Sequence, residues 1–400
     1  MNSQDYIRIE EQFGAHNYHP LDVVIERGDG IWVYDVEGNR YLDFLSAYSA
    51  VNQGHCHPRL VAAMQKQCEI VTLTSRAFRN EELPLLLKEL CELTGFDRAL
   101  PMNSGAEAVE TAIKAVRKWG YTKKGVEKDK AEIIVATNNF HGRTTTIVGF
   151  STEAYYKQYF GPFSPGFVTV PYGDVDALRN AITENTVAVL IEPIQGEGGI
   201  IIPPEGYLEA IQRACCENNV LFILDEIQSG LGRCGKLFAY MYEEVKPDGV
   251  IIGKALSGGF YPVSAFLARD EVMSVFEPGE HGSTFGGNPL GCAVAREALR
   301  ILVDDKLDER AFELGDYFRG LLNSLDSKYI KEVRGKGLLI GVELHDSTGG
   351  ARRFCEALQN DGLLCKETHE TVIRFAPPLV IEKKNLDWAF ERIKHVMETI

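Results

Sequence analysis

The sequence predicts an α/β fold: a large, mostly parallel sheet flanked by helices, and a smaller α+β domain at the C-terminus. Short β-branched segments alternate with amphipathic stretches between residues 104 and 268, and this alternation is typical of a parallel sheet covered on both faces. After residue 289 the pattern changes to a long helix followed by a strand pair. A chain of 400 residues is also long enough for two or three domains of roughly 150 residues each.

The strands of the large sheet are predicted from apolar runs rich in Val and Ile. These runs are residues 132–136, 167–170, 187–191, 220–224, 249–252 and 263–268. A helix is expected to begin after Ser104 and to run to Trp119, because Ser104 and Glu107 form a capping-box pattern. Asp174 is expected to cap a helix over 175–182, and residues 205–218 have apolar positions at helical spacing.

The ends of the chain predict two further units. Helices are expected over 290–303 and near 351–360, with a strand pair around 331–344 and a strand over 371–375. The turn sequences at 28–30 and 37–39 indicate an N-terminal hairpin that is too small to fold alone. We therefore expect an N-terminal segment (1–50) packed on the other domains, a large domain (51–286) and a small C-terminal domain (287–400).

Composition argues against several classes of function. The 42 basic and 57 acidic residues give a net charge of −15, which disfavours nucleic acid and anionic membrane surfaces as partners. Residues 187–191 and 220–224 are among the longest apolar runs, far short of the roughly 20 residues of a membrane-spanning helix. The nine cysteines include no Cys-x-x-Cys pair, and the N-terminus has no targeting pattern, so we expect a cytoplasmic protein with reduced thiols.

Two polar residues follow apolar strands at the same edge of the predicted sheet. Asp225 ends one predicted strand and Lys254 comes shortly after the next, so both should face the crevice at the carboxyl ends of the strands. A lysine that forms a Schiff base and a carboxylate that holds a pyridinium nitrogen are what pyridoxal phosphate chemistry requires. An ordinary salt bridge at the sheet edge would satisfy the same spacing, so the spacing alone leaves both interpretations open.

A phosphate site is predicted at the start of the first helix. Ser104-Gly105-Ala106 would offer free N–H groups and a helix dipole to an anion, although a plain capped helix would look the same. The loop Gly230–Lys236 partly matches both a dinucleotide fingerprint and a Walker A loop. It lacks the required Ser or Thr and does not directly follow a strand, so nucleotide binding is disfavoured. His55 and His57 have no further ligand cluster, so no metal site is expected.

Several sequence blocks carry a family resemblance. Residues 224–233 and 253–259 resemble the class III pyridoxal phosphate-dependent aminotransferases of fold type I, and blocks at 45–58, 140–143, 192–197, 279–289 and 373–378 narrow the resemblance to its ornithine-specific members. The resemblance begins near Tyr18 and continues to the C-terminus. It implies ping-pong transfer of the δ-amino group of L-ornithine to 2-oxoglutarate. The alternatives are N-acetylornithine or 4-aminobutyrate as donor, or an aminomutase or lyase on the same fold.

The same resemblance implies roles for individual residues toward the cofactor. Lys254 would form the Schiff base and move the proton, and Asp225 would pair with the ring nitrogen. The other cofactor contacts would be Gln228 at the phenolic oxygen, Phe140 and Ile227 on the ring faces, Gly105 and Ala106 at the phosphate, and Thr284 from a second subunit. A site shared in this way implies a homodimer.

The resemblance also implies a substrate-binding set. Arg143 and Tyr18 would hold the α-carboxylate and α-amino end of ornithine, and Tyr48 would form the pocket wall. Arg374 would bind the α-carboxylate of 2-oxoglutarate, because a guanidinium offers two parallel donors to two oxygens, and Glu197 would mask it during the first half-reaction. His141 and Phe260 depart from the family pattern, and neither is expected to touch the chemical core.

Overall fold

The computed structural model describes residues 1–400. The helices are α1 (Ser3–Phe13), the single turn α2 (Ser46–Ser49), α3 (Pro58–Cys68), α4 (Glu82–Thr94), α5 (Gly105–Trp119), α6 (Thr145–Gly149), α7 (Ala154–Lys157), α8 (Val175–Ala181), α9 (Tyr207–Glu217), α10 (Asp270–Met273), α11 (Pro289–Asp304), α12 (Leu307–Asn323), α13 (Arg352–Asn360) and α14 (Lys383–Thr399). The strands are β1 (Ile25–Asp29), β2 (Trp32–Asp35), β3 (Arg40–Asp43), β4 (Arg98–Met102), β5 (Glu132–Ala136), β6 (Phe167–Val170), β7 (Thr186–Ile191), β8 (Leu221–Asp225), β9 (Gly249–Ile252), β10 (Ser264–Ala268), β11 (Ile330–Lys336), β12 (Leu339–Leu344), β13 (Leu363–Leu364), β14 (Lys366–Thr368) and β15 (Val372–Phe375).

The predicted α/β fold is confirmed by a seven-stranded sheet in the order β4-β10-β9-β8-β7-β5-β6. The strands from β9 to β6 pair in parallel, whereas β10 is antiparallel to both of its neighbours. All six strands expected from apolar runs are present, with ends that differ by at most a residue. The edge strand β4 was not predicted, because Arg98-Ala-Leu-Pro-Met102 is short and contains a proline.

The large sheet is covered on both faces, and neighbouring residues of each strand belong to different halves of the core. Ile133 and Ile223 pack with α5 on one face, while Ile134 and Leu224 pack with α9 and α11 on the other. Strands buried on both sides read as continuous apolar runs, which is why periodicity located them. The covered sheet leaves its strand ends as the place where polar side chains can gather.

The predicted helix starts are confirmed at two caps. The Ser104 side chain accepts from the Glu107 N–H while the Glu107 carboxylate accepts from the Ser104 N–H, which completes a capping box. The Asp174 side chain accepts from the Ala177 N–H at 2.8 Å at the start of α8. The helices α1, α3, α4, α12 and α14 were not predicted from the sequence.

The N-terminal hairpin packs against the C-terminal part of the chain. The strand β13 pairs in parallel with β3 and completes a sheet of order β1-β2-β3-β13. Trp32 also contacts Trp388 edge to face. A separate antiparallel sheet, β11-β12-β15-β14, forms the body of the C-terminal region. The division into 1–50, 51–286 and 287–400 remains a proposal. No helix of the chain combines the length and the apolar character needed to cross a membrane.

Candidate active site

Asp225 and Lys254 lie together, as the order of the strands predicts. Asp225 is the last residue of β8, Lys254 follows β9 by two positions, and β8 and β9 are parallel neighbours. Both residues line a cavity of about 190 Å³ at the carboxyl ends of the strands. The other lining residues are Gly105, Ala106, Phe140, His141, Gly142, Glu192, Ile194, Glu197, Ile227, Gln228 and Ser229.

Two hydrogen bonds hold the carboxylate of Asp225 in this cavity. Its Oδ1 accepts from the Ile227 N–H at 3.0 Å, and its Oδ2 lies 2.7 Å from Nδ1 of His141. The His141 side chain is fully buried, and its Nε2 has no partner. Although burial lowers the pKa of His141, the hydrogen bond and the charge of Asp225 outweigh it and raise that pKa. The prediction that His141 stays away from the chemical core is therefore wrong.

A second buried carboxylate, that of Glu192, lines the same cavity and contacts Phe140. Glu192 follows β7 directly, and its Oε2 accepts from the Phe140 N–H at 3.0 Å. Burial raises the pKa of Glu192 to about 7, with a further contribution from Asp225 and an opposing one from His141. Its contact fixes the backbone of Phe140, whose ring forms one side of the cavity.

Lys254 adopts an uncommon backbone conformation at the centre of the site. Its φ of 42° lies in the left-handed region, which non-glycine residues rarely occupy outside functional or strained positions. Burial lowers the pKa of Lys254, while the nearby Glu197 and Asp225 carboxylates oppose that change. A larger fraction of neutral amine is what a nucleophile or proton carrier needs near neutral pH.

The N-terminus of α5 also lines the cavity. The amides of Gly105 and Ala106 precede the first intrahelical donor, so no backbone acceptor engages them. A Cβ on Gly105 would lie 2.9 Å from Cδ1 of Ile227, which explains why glycine occupies this position. The helix start therefore offers free N–H groups to an anion inside the cavity.

These residues fit pyridoxal phosphate. The Asp225 carboxylate, the free amides at the start of α5 and the side chains of Phe140 and Ile227 all line the one cavity. The Oε1 atom of Gln228 is buried and has no hydrogen-bond partner. An orphaned buried polar atom of this kind calls for a partner that the chain itself does not supply.

The predicted substrate-binding residues line a groove of about 840 Å³ that opens beside this cavity. Tyr18, Tyr48, Arg143, Glu197 and Arg374 all contribute to it. Tyr18 is 66% exposed at the outer end. The Arg143 guanidinium lies 4.3 Å from the centre of the Tyr156 ring and 5.6 Å from that of Phe140. Each predicted residue is therefore within the groove, and its role toward substrate stays a prediction.

An ion pair joins the cavity to the groove. Nη1 of Arg374 lies 2.5 Å from Oε1 of Glu197, and that oxygen also accepts from Nε2 of Gln228 at 3.1 Å. Arg374 is only 1% exposed, and its guanidinium lies 4.9 Å from the centre of the Tyr48 ring. Burial opposes ionisation of Glu197, but the charges of Arg374 and Lys254 lower its pKa to about 2. The backbone of Glu197 is held by the hydroxyl of Thr368 at 2.7 Å.

Tyr48 is presented by a left-handed turn. The residues of α2, from Ser46 to Ser49, have φ values between 48° and 71°, a conformation that costs roughly 1–2 kcal/mol per residue. The Asp43 carboxylate accepts from the Ser46 N–H at 2.8 Å, and the Ser46 hydroxyl donates to the Ala376 carbonyl at 2.7 Å. These contacts hold the turn against the small domain, and no sequence signal predicted it.

Thr284 stands apart from the other predicted cofactor residues. It is exposed on the loop before α11 and lines neither the cavity nor the groove of the same chain. A role in the site of a second subunit stays a prediction.

The glycine-rich loop Gly230–Lys236 is a packing element. Arg233 is fully buried, and its guanidinium donates to the Pro377 carbonyl at 2.6 Å and to Oδ1 of Asn52 at 2.5 Å. A Cβ on Gly235 would lie 2.9 Å from Cα of Phe312. The glycines therefore permit close packing of the two domains.

His55 bonds to Asp43, with Nε2 2.7 Å from the carboxylate.

Sequence reasoning missed His141 and Glu192 as parts of the site. Both lie in blocks that carried the family resemblance, next to Phe140 and upstream of Glu197 respectively. For Glu192 the available signal was its type, since an ionisable residue directly after a buried strand needs a partner. Their contacts join residues 84 and 52 positions apart, which spacing cannot reveal.

Comparison with known proteins gives close matches over the whole chain. The family described as class-III aminotransferase matches residues 13–397. An ornithine aminotransferase of Geobacillus sp. (strain WCH70) is 60% identical over 98% of both chains. The crystal structure of the ornithine aminotransferase of Toxoplasma gondii ME49 aligns with a TM-score of 0.98 at 45% identity, over 100% of this chain and 95% of that one. An acetylornithine aminotransferase of Elizabethkingia anophelis aligns with a TM-score of 0.91 at 48% identity over all of both chains.

Proposed function

The chain belongs to the class III aminotransferases, and we propose that it transfers the δ-amino group of L-ornithine to 2-oxoglutarate. The products are glutamate-5-semialdehyde and glutamate, formed in two half-reactions of a ping-pong cycle. The observation that carries this proposal is the ion pair between the buried Arg374 and Glu197, whose carboxylate lies near Lys254. The 60% identity to an ornithine aminotransferase supports the same substrate.

Members of this family use pyridoxal phosphate, which supplies the carbonyl that takes up an amine and the ring that withdraws electrons from the reacting carbon. Asp225 would keep a proton on the ring nitrogen, and His141 would orient that carboxylate through its 2.7 Å contact. The Gly105 and Ala106 amides would bind the phosphate at the start of α5. Phe140 and Ile227 would enclose the ring, and Gln228 would bond its phenolic oxygen.

Lys254 would hold the cofactor and then move the proton. Its lowered pKa leaves more of the amine neutral and able to accept a proton from the substrate carbon bearing the amine. The glycine before it and the short helical turn after it fix the side chain at the end of β9. A positioned base of this kind contributes about 10²–10⁴-fold to the rate of a proton transfer.

The groove would bind two unlike substrates in turn. Ornithine enters with its δ-amine toward Lys254 and has no carboxylate at that end, so Arg374 must then be neutralised by Glu197. Arg143 and Tyr18 would hold the distant α-carboxylate and α-amine, and Tyr48 would form the wall between the two ends. Once 2-oxoglutarate arrives, its α-carboxylate would replace Glu197 on the guanidinium.

A homodimer with shared sites is part of this proposal. Thr284 is exposed and does not line the cavity of its own chain, and it would complete the phosphate site of a second copy. Exposed apolar side chains gather between α3 and α4, among them Ile70, Leu73 and Phe78. Patches of this kind mark protein interfaces. All nine cysteines are free, which supports the cytoplasm as the location.

The test compares amine donors with 2-oxoglutarate as acceptor. We expect kcat/KM for ornithine to exceed that for N-acetylornithine and 4-aminobutyrate by about a hundredfold or more, since each rival loses a charged contact in the groove. Identification of the products by mass spectrometry establishes which amine is transferred. A higher kcat/KM for N-acetylornithine would overturn the proposal and favour the activity of the Elizabethkingia relative.

A further inference from the structure

The loop that carries Thr284 is attached to the chain at three points. Every residue from Glu277 to Phe285 is exposed except His281 and Ser283, which are half-buried. Ser283 Oγ accepts from Nδ2 of Asn103 at 2.7 Å, just before α5 begins. His281 contacts α5 two turns further along, and Glu280 pairs with Lys118 of the same helix. Two of the three attachments therefore use the helix whose N-terminus provides Gly105.

His281 connects two residues of α5. Its Nε2 lies 2.8 Å from Oγ1 of Thr111, and its Nδ1 lies 3.0 Å from Nζ of Lys114. The imidazole stacks on Phe276, with 5.4 Å between ring centres. The Lys114 ammonium also donates to the Glu280 carbonyl at 3.2 Å. The side chain therefore has a partner on each nitrogen and a ring against its face.

The partners determine the protonation state of His281. An ammonium group can only donate, so Nδ1 must accept from Lys114 and carries no proton. The Thr111 hydroxyl donates to the Glu107 carbonyl at 2.7 Å, and it therefore accepts from Nε2–H. His281 is neutral and is confined to a single tautomer by a chain of hydrogen bonds that starts at Lys114.

Protonation would break this arrangement. A proton on Nδ1 would face the Lys114 ammonium, replacing a hydrogen bond with a repulsion between like charges. Burial and Lys114 lower the pKa of His281, while Glu110 opposes them. The remaining charges are Lys118 and Glu280, which pair with each other, and Glu277, whose N–H donates to Glu280.

We propose that His281 is a positioning residue that holds the Thr284 loop against α5 and thereby retains the cofactor phosphate in the partner subunit's site. This inference rests on the proposed function, because it needs Thr284 to act across the dimer. Each α5 would then serve two sites, its own through the helix N-terminus and that of the second copy through the attached loop. Detachment of the loop would weaken cofactor retention without changing how the groove recognises ornithine.

The test measures loss of pyridoxal phosphate from the holoenzyme at timed intervals, by rapid gel filtration and absorbance. His281→Phe keeps the stack on Phe276 and removes both hydrogen bonds, and we expect the rate of loss to rise about tenfold. His281→Gln retains one donor and one acceptor and should restore part of the retention. His395→Phe is the matched control, because it makes the same change at an exposed histidine of α14.

A second readout separates this role from general destabilisation. Cofactor loss from the native enzyme should accelerate as the pH falls below the ordinary histidine pKa of 6.5, because the lowered pKa of His281 places its protonation in that range, and His281→Phe should lack that part of the acceleration. KM for ornithine in cofactor-saturated enzyme should stay unchanged. Lys114→Met should reproduce the faster loss even if His281→Phe fails to fold.

Different results of these measurements would overturn the inference about His281 and the proposed function. Thr284→Ala is measured in parallel, and faster loss from it together with normal retention in His281→Phe overturns the loop attachment alone. Normal retention in both variants overturns the shared site as well. Failure of the chain to bind pyridoxal phosphate at all overturns the proposed function and this inference with it.

Discussion

The two ends of the active site are built in different ways. The cofactor end, at Asp225 and Lys254, stands on adjacent strands of a covered sheet and is braced by buried groups such as His141. The substrate end is assembled from an exposed tyrosine at position 18, the loop that carries Glu197, and Arg374 on a small-domain strand. The first is a fixed scaffold, and the second contains the Glu197–Arg374 ion pair, which the proposed function requires to open between the two half-reactions.

This difference separates chemistry from recognition. The reaction on the amine is the same in both half-reactions, so the groups that perform it gain from a rigid setting. The substrates differ in charge at the reacting end, so one contact has to change between them. Substitutions at the cofactor end should therefore reduce turnover with every substrate, whereas substitutions at the other end should change the preference between substrates.

The largest effect is expected for Lys254→Ala, which removes the proton carrier from the fixed end. Turnover with ornithine and with glutamate should fall together by about 10³-fold or more, as measured by single-turnover product formation. Lys236→Ala, at the exposed lysine of the glycine-rich packing loop, is the matched control and should retain normal rates. Near-normal turnover in Lys254→Ala would remove the basis for the assignment.

Asp225→Asn should have the next largest effect. The amide keeps the shape of the side chain but loses the charge that holds the ring nitrogen protonated, so turnover should fall about a hundredfold or more for all donors while the cofactor stays bound. Glu226→Gln is the neighbouring control, since Glu226 is equally buried but does not line the cavity. Equal activity in Asp225→Asn would mean that this carboxylate is structural.

Glu197→Ala should change preference while leaving the chemistry intact. Without its carboxylate partner, Arg374 attracts donors with an α-carboxylate beside the reacting amine, so the ratio of glutamate to ornithine half-reaction rates should rise roughly ten- to a hundredfold. Stopped-flow kinetics with each donor measures the ratio. Glu153→Ala removes a groove carboxylate that does not touch Arg374, and the proposed exchange fails if both variants behave alike.

The smallest effect on activity is expected for Glu226→Gln, whose main consequence should be a change in the pH dependence of stability. Burial raises the pKa of Glu226 from 4.5 to about 7. The folded protein therefore holds a proton that the unfolded chain releases, and stability falls as pH rises between these values.

Gln at position 226 can still accept from the Tyr240 N–H and donate to the Ser229 hydroxyl, the two contacts of the carboxylate. We expect its Tm to equal that of the native enzyme near about pH 5 and to exceed it by a few degrees near pH 8, with at most about 3 kcal/mol involved. Calorimetry at both pH values measures this difference. A constant difference across that range would show that Glu226 does not titrate there.

The cofactor end of the site could largely be predicted from the sequence, because its residues belong to short sequence patterns. Ser104 and Glu107 lie within one helical turn, and Asp225 and Lys254 each follow an apolar run. Strand order then brings the two polar residues together. What local patterns could not supply is His141, which reaches Asp225 across 84 residues.

The substrate end depended on the family resemblance. The sequence around Arg374 and around Glu197 does not indicate that the two residues pair across 177 positions. The left-handed turn that contains Tyr48 has no glycine from which it could be predicted. The antiparallel direction of β10 escaped prediction for a related reason, since an apolar run carries no information about its direction in a sheet. Tertiary contacts decide all three features.

Under the proposed function, the contact between Glu197 and Arg374 would also make the chain its own competitive inhibitor. A carboxylate tethered 2.5 Å from the guanidinium cannot diffuse away, so 2-oxoglutarate bound at Arg374 would have to displace a carboxylate present at a high local concentration. If the pair is open about 1% of the time, the apparent affinity for 2-oxoglutarate is roughly a hundredfold below the intrinsic one. Discrimination in favour of ornithine would then be obtained at the expense of affinity for the acceptor, and the rate of the second half-reaction would depend strongly on the supply of 2-oxoglutarate.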